Sequence, residues 1–434
     1  MTMEIELKFI ATDEATEKLP GRLAAWPHQH TPPQKLTNIY FETAERQLRR
    51  WDMGLRIRGF GDSYEMTLKT AGQSVGGLHQ RPEYNVPLEK PELALETLPA
   101  DIWPAGTDPA ALQQQLAPLF STHFMREKWV VTYLNSQIEV ALDKGEVSAG
   151  EQSEILREIE LELKSGERDD LLAFAAELRT LGGLRLGSLS KAARGYVLAQ
   201  GNAPRELHPL PVMKIKPKAT VEEGMQAAFT LALNQWQYHE ELWLRGNTQA
   251  LHEIRQALET LRQAFSLFGA LVPRKASSDL RQRLTELEEA LLAEDLQAEA
   301  ICFSPLSLHT QLALTDWLAA GRWRAFIDAK ADAKLQGSYK RFCDIMLGRL
   351  SADLKETFGR VHLLNEYQDK LTRLHRQLIA AHLLAGAYDP AAVSAWFADW
   401  QQLAQAIETR QESWLDAHCR QAQKHPAFWK NGSV

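Results

Sequence analysis

Two short stretches of this chain alternate carboxylates with hydrocarbon and then end in lysine. Glu4-Ile5-Glu6-Leu7-Lys8 lies at the front, and Glu158-Ile159-Glu160-Leu161-Glu162-Leu163-Lys164 follows much later. Successive side chains of an extended strand point to opposite faces, so each stretch sets its charged groups on one face and its aliphatic groups on the other. Like charges along one face repel one another. A solvated sheet face tolerates that repulsion, whereas a bound cation makes use of it. Basic residues recur between the two stretches at the same spacing of two. Arg56 alternates with Ile57 and Arg58, Lys69 shares its parity with Glu65 and Thr67, and Arg81 with Glu83. Arg126 pairs with Lys128, and Glu139 with Asp143. Guanidinium forks and ammonium groups suit phosphate oxygens. Carboxylates suit hard cations such as Mg2+ or Mn2+, which often bridge protein to phosphate. The combined inventory suits phosphoryl transfer by positioning and charge neutralisation.

The elements that must position these groups read as strands over the first two hundred residues. After the opening strand, 13–21 reads as a short helix and 26–33 as a proline-containing loop. Extended runs follow at 35–43, 53–60, 63–70, 79–87, 123–134, 137–143 and 155–164, with helical patches near 91–98, 108–116 and 168–181. Short turns such as Gly59-Phe60-Gly61-Asp62 and Lys144-Gly145 favour antiparallel neighbours. The fold expected here is α+β, a set of eight or so antiparallel strands closed into a barrel or tunnel with covering helices. If helices cover the apolar face, the charged face lines the interior, where charges of both signs persist only when paired or bound to an ionic ligand.

The period then changes. Residues 201–217 carry four prolines and read as a linker, and from Thr220 helical spacing dominates over 220–245, 248–271, 278–295, 306–319, 330–357, 361–386 and 391–424. Helices joined by short turns imply an all-α bundle. The expected domains are therefore 1–200, a linker at 201–217, and 218–434. On the second predicted helix of this half, His252, Arg255, Glu259 and Arg262 share one face, with Ile254, Leu258, Leu261 and Phe265 on the core side. Intrahelical ion pairs on a solvated face would account for the same pattern.

Composition bounds the rest. The chain has 434 residues, 44% of them apolar and 24% charged, as in a soluble globular protein. No run of eighteen apolar residues and no basic-then-apolar leader is visible, so the expectation is a cytoplasmic protein with no membrane partner. Three scattered cysteines suggest neither a disulfide framework nor a zinc site. Residues 1–200 hold 22 Lys and Arg against 29 Asp and Glu, and residues 201–434 hold 27 of each. An acidic first half argues against nucleic acid as a partner and suits a site that collects metal ions.

Glu4-x-Glu6-x-Lys8 resembles the ExExK signature of CYTH domains, the triphosphate tunnel metalloenzymes. The resemblance extends through Leu55-Arg56-Ile57-Arg58, Thr67-Leu68-Lys69, Arg81-x-Glu83, Arg126-x-Lys128 and Glu158-x-Glu160-x-Glu162. It implies an eight-stranded antiparallel tunnel that binds triphosphate-bearing molecules with a divalent metal, Mg2+ or Mn2+. Carried over, Glu4, Glu6, Glu160 and Glu162 become the metal carboxylates, and Glu4, Glu6, Lys8 and Glu160 the catalytic set. Lys8, Arg56, Arg58, Lys69, Arg126 and Lys128 become phosphate holders. Ser188-Leu189-Ser190-Lys191 resembles the family's late Ser-Lys element and adds Lys191 to them. Glu83, Glu139, Asp143 and Glu158 are candidates for a second metal, for positioning water, or only for neutralising basic partners.

The 251–262 stretch resembles the histidine-arginine helix of CHAD domains, all-α modules associated with polyphosphate. That likeness makes His252, Arg255 and Arg262 candidate polyphosphate contacts. Glu259 stands where the motif commonly has arginine, and a degenerate second copy near 367–376 offers Lys370, Arg373, His375 and Arg376. The CYTH-then-CHAD order resembles that of bacterial inorganic triphosphatases. It implies metal-dependent hydrolysis of inorganic triphosphate to diphosphate and phosphate. The alternatives are a member directed at nucleotides or thiamine triphosphate, whether triphosphatase or adenylate cyclase, and a non-catalytic polyphosphate-binding adaptor.

Overall fold

The computed structural model describes residues 1–430. Its strands are β1 (Thr2–Ala11), β2 (His28–Glu42), β3 (Gly54–Phe60), β4 (Ser63–Lys69), β5 (Gln73–Val75), β6 (Leu78–Leu88), β7 (Ala117–Tyr133), β8 (Ser136–Ala149), β9 (Gln152–Ser165) and β10 (Leu184–Leu186). All pairings are antiparallel. The order β1-β9-β8-β7-β2-β3-β4-β6 returns to β1, because β6 pairs with β1 from Thr2↔Glu83 to Leu7↔Leu78. Eight strands thus form a closed barrel, with β5 and β10 as short additions outside the ring.

The barrel is turned inside out relative to an ordinary small barrel, which fills its interior with aliphatic side chains. On β1, Leu7 and Phe9 point outward and are fully buried, together with Ile138, Val140, Ile159 and Leu161 from β8 and β9. The cover comes from α1 (Asp13–Leu23), α4 (Arg168–Leu178) and a helix from far along the chain, α10 (Pro305–Ala320). Leu19, Leu23, Leu171, Phe174, Leu308 and Leu312 complete this apolar layer. Burying a leucine or phenylalanine contributes about 1.5–3 kcal/mol, so the outside of the barrel is where its cohesion lies. The inward faces are left to the charged residues.

Two short helices, α2 (Gln47–Arg50) and α3 (Pro109–Gln115), and a helix after β10, α5 (Lys191–Ala199), complete the first set of elements. The remaining helices are α6 (Val221–Leu244), α7 (Ala250–Leu267), α8 (Ser278–Ala290), α9 (Ala298–Cys302), α11 (Ala329–Leu335), α12 (Tyr339–Phe358), α13 (Leu364–Leu384), α14 (Pro390–Glu408) and α15 (Glu412–Lys424). The chain divides into two compact units. One is Met1–Glu206 with Ala293–Ala320, and the other is Leu207–Leu292 with the chain from Gly321 onward. In the second unit α6 and α7 form a hairpin, and α7 also packs on α13. Among the described residues no helix is long and apolar enough to cross a membrane. The three cysteines are buried and none is in a disulfide.

Several expected boundaries move. The stretch 26–33 is not a loop throughout: β2 begins at His28 and takes in Pro32 and Pro33 at a register shift against β7 between Thr31 and Gln34. An interruption of the ladder is where proline, lacking an N–H, does least harm. Only Leu95–Thr97 of the patch at 91–98 is helical, as one 3-10 turn. The run 330–357 is two helices, broken at Gln336–Ser338, where Ser338 caps α12 by accepting from Arg341 N. The run 391–424 likewise breaks near Arg410, whose φ of 55° cannot continue a helix. Helix α5 has no counterpart among the expected elements.

Candidate active site

Closing the barrel gathers the alternating charged residues around one cavity of about 470 Å3. Its lining includes Glu4, Glu6, Lys8, Arg56, Arg58, Lys69, Glu83, Arg126, Lys128, Glu139, Glu160, Glu162 and Lys191, which are the expected site residues with two exceptions. Asp143 and Glu158 are fully buried and lie outside that lining. The register explains the grouping, because directly paired residues of neighbouring strands share a face. One transverse row runs His79–Glu6–Glu162–Glu139 across β6, β1, β9 and β8. The next runs Lys8–Glu160 across β1 and β9, and reaches Lys128 on β7 by way of Ala141. A third links Glu158, Asp143 and Arg126 across β9, β8 and β7.

Most of the acids already have cationic partners. The Lys69 ammonium donates to both oxygens of Glu4, at 2.7 and 2.6 Å. Arg126 makes a fork to Asp143 at 2.7 and 2.6 Å and reaches Glu160 at 2.8 Å. Asp143, Glu158 and Glu160 bring three carboxylate oxygens within 4.8 Å of one another, the spacing of a metal cage. The Lys191 ammonium sits among them, at 2.8, 2.8 and 2.6 Å. Lys8 adds contacts of 3.5 and 3.4 Å to Glu158 and Glu160, and Arg194 one of 3.1 Å to Glu158. Burial pushes the Glu158 and Glu160 carboxyls up, but Lys191 and Lys8 outweigh it and hold both below the ordinary range. Fixed cations therefore neutralise this cluster. Of the four acids considered for a second metal, Asp143 and Glu158 partner bases, while Glu83 and Glu139 meet theirs only at 3.8–4.0 Å.

Three groups in the lining are differently placed. Glu6 accepts no hydrogen bond and has no basic nitrogen within 4 Å among the described residues, although its field, with that of Glu4, holds the Lys69 ammonium above its ordinary value against burial. Glu162 touches Lys164 at 3.1 Å, yet burial, with Glu4 and Glu139 nearby, pushes its carboxyl above the ordinary value. A carboxyl raised by its acidic neighbours marks a place suited to a cation, and the oxygen donors around it fit a hard divalent ion. Arg58 is the converse case. Its Nε donates to the Asn38 carbonyl at 2.8 Å, and Asn38 is fully buried, its amide donating to Thr122 Oγ1 at 2.9 Å. With this neutral anchor, burial and the charges of Arg56 and Arg126 pull the guanidinium down to about 9. Among the described residues this half-buried positive charge has no direct carboxylate contact.

The sequence reading missed several lining residues. Tyr40, on β2 opposite Arg56, has a phenol that burial pushes up but that Arg56 brings below its ordinary value. His79 also faces the cavity, and burial lowers its imidazole to about 4, so it is neutral near pH 7. Its parity with Arg81 and Glu83 was the signal that could have found it. Helix α5, which brings Lys191 and Arg194, lies tight on β7: a Cβ on Gly195 would stand 2.0 Å from the Phe120 ring. Tyr196 fixes the same helix by donating to Glu42 at 2.5 Å.

In the helical unit, His252 and Arg255 line a groove of about 520 Å3 with Glu259, His375, Arg376 and Glu408. Arg262 is not part of that lining; Glu288 on α8 holds it at 2.7–3.0 Å. Arg376 pairs with Glu259 at 2.8 Å and His375 with Glu408 at 3.0 Å, and Arg255 donates to the Leu291 carbonyl at 2.7 Å. The basic groups of the groove are thus largely compensated within the unit.

Comparison with known proteins divides the chain by sequence, and its second part takes in the 293–320 segment that the structure groups with the barrel. Residues 2–196 match the family model described as the CYTH domain, and residues 227–421 match the one described as the CHAD domain. An inorganic triphosphatase from Haemophilus influenzae is 39% identical over 198 residues, 46% of this chain and 55% of that protein, so the match spans about half the length of that relative. Among solved structures, a candidate adenylyl cyclase from Hippeastrum, described as having a dominant triphosphatase activity, is 19% identical. It covers 46% of this chain and 96% of its own, at a TM-score of 0.34. A candidate adenylate cyclase from Bacillus halodurans is 25% identical, covering 45% and 98%, at a TM-score of 0.31. Scores this low carry no argument about chemistry.

Proposed function

The chain is a CYTH domain followed by a CHAD domain, and we propose that it hydrolyses inorganic triphosphate to diphosphate and phosphate in the tunnel, with Mg2+ or Mn2+ bound there. The observation that carries this reading is the presence of uncommitted charge of both signs in the lining of one cavity. Among the described residues Arg58 has only the neutral Asn38 as its hydrogen-bond partner, and Glu6 has no basic nitrogen within 4 Å. Half-buried charges without partners are partly stripped of water at a cost, and a ligand that is itself a polyanion with a cation relieves both costs together. The similarity to a protein named inorganic triphosphatase supports the same substrate class.

In this mechanism Arg58, Arg56 and Lys128 hold the terminal oxygens of the chain of phosphates, joined by Lys8, Lys69, Arg126 and Lys191 as these exchange carboxylate oxygens for phosphate oxygens. Glu4, Glu6, Glu160 and Glu162 hold the cation. When bound, the cation supplies charge neutralisation on the phosphate oxygens and lowers the pKa of water. The basic side chains stabilise the diphosphate as it leaves, and the fixed barrel keeps water, phosphorus and leaving oxygen in line. The test is turnover of inorganic triphosphate, ATP and thiamine triphosphate, each with Mg2+ or Mn2+. Turnover of inorganic triphosphate well above the other two is the expected result. Preference for a nucleotide would reassign the substrate, and no turnover of any would overturn the reading.

A further inference from the structure

We propose that His79 is an imidazole ligand in the tunnel's cation site, and that it makes this site favour Mn2+ over Mg2+. The inference rests on the proposed presence of a divalent cation in the tunnel and adds to it a residue outside the carboxylate set. His79 sits near the start of β6, directly opposite Glu6 on β1, and Glu6 is in turn opposite Glu162 on β9. All three line the same cavity. Cross-strand partners on one face have Cβ atoms about 4.5–5.5 Å apart, a separation that one cation can bridge.

The ring is also uncommitted. Two other histidines have a structural partner: His239 and His382 each place Nδ1 on the carbonyl four residues back, at 2.7 and 2.8 Å. Neither nitrogen of His79 makes a hydrogen bond or ion pair among the described residues. On its other side β5 pairs with β6, Ser74 standing opposite His79, so the strand bearing the ring is held from both edges. The carboxylate across from it, Glu6, has no basic contact within 4 Å among the described residues. Two uncommitted donors facing each other across one strand pair, one nitrogen and one oxygen, form a mixed ligand set. Such a set discriminates between ions: carboxylate and water suit Mg2+, while imidazole strengthens binding of first-row transition metals.

The experiment is pulsed EPR on the intact protein loaded with one equivalent of Mn2+ as the chloride. The expected result is 14N modulation from a directly bound imidazole in the wild type and its loss in His79→Asn. Calorimetric titration should show the Mn2+-over-Mg2+ preference of the wild type falling about tenfold in His79→Asn, with Mg2+ affinity changed less. Mn2+ bound in the tunnel of the wild type without 14N modulation would overturn the role of His79 and leave the cation reading standing. No Mn2+ bound by the wild type at all would overturn both. The wild-type spectrum needs no variant, so a folding defect in His79→Asn does not blunt the test.

Discussion

Arg58 and Lys191 are two cations lining one tunnel with opposite surroundings, and their chemistry follows from that difference. Lys191 lies among three carboxylates, its ammonium held well above the ordinary value by Asp143, Glu158 and Glu160 against burial. Removing it strands those charges, and breaking a buried ionic cluster costs about 3–5 kcal/mol. Lys191→Ala should therefore lower the thermal midpoint by many degrees; an unchanged melt would show that the cluster carries no such load. Arg58 should respond in affinity instead. Asn38→Asp would place a carboxylate 2.8 Å from its Nε, where the neutral amide oxygen now stands. Triphosphate would then compete with a fixed anion, and KM should rise by about tenfold or more, since a hydrogen bond to a charged group is worth about 1.5–3 kcal/mol. Steady-state kinetics check this, and an unaltered KM would contradict the role given to Arg58. Alternation made Arg56, Arg58, Lys69 and the two acidic strands visible in the sequence. Which acid pairs with which base was not visible, because pairing depends on register between strands far apart in the chain. Asn38, a polar residue within a strand of mixed character, gave no sign of its place behind Arg58.

Helix α5 shows the limit of periodicity at the level of one element. Nine residues with two buried bases, Lys191 and Arg194, do not present an ordinary apolar face, and only the barrel beneath explains them. Gly195→Leu should push α5 off Phe120 and carry Lys191 with it, reducing both stability and turnover in one variant. In the helical unit, Thr220 and Glu223 form a reciprocal cap at the start of α6. Next to them Glu222 accepts from Trp323 at 2.9 Å, from Gln336 at 3.1 Å and from Arg324 at 3.1 Å. Burial pushes its carboxyl up, but the bonds from Gln336 and Trp323 and the Arg324 charge outweigh it and bring it below the ordinary value of 4.5. The folded value being the lower one, Glu222 stabilises the protein above the unfolded carboxylate range, and this contribution fades as pH falls through the folded value. Melting curves of wild type and Glu222→Gln should differ at pH 7 and converge in acid. A gap that widens on acidification would reverse the sign of the argument. The breaks at Gln336–Ser338 and Arg410 were within reach of the sequence only weakly, since neither carries a proline.

Across the whole molecule, sequence order and spatial grouping part company at α10. Leu308 and Leu312 belong to the apolar layer outside the barrel, and Arg168 on α4 donates to the Ala319 carbonyl at 2.6 Å. A contact between residues so far apart in the chain leaves no local pattern, so the helical run was legible and its place was not. A fragment ending at residue 206 lacks this helix, and each leucine lost from the layer forfeits about 1.5–3 kcal/mol. Such a fragment should melt below the full chain, and equal melting would show that α10 adds nothing to the barrel. The central claim is that a charged tunnel and a divalent cation together cleave a chain of phosphates. The most direct measurement is 31P NMR of inorganic triphosphate mixed with the full chain, with Mn2+ or Mg2+, with chelator, and with Glu6→Gln in place of the wild type. Equimolar diphosphate and phosphate should appear only for the wild type with a divalent cation. Cleavage that persists in chelator and in Glu6→Gln, or no cleavage in any sample, would contradict the account.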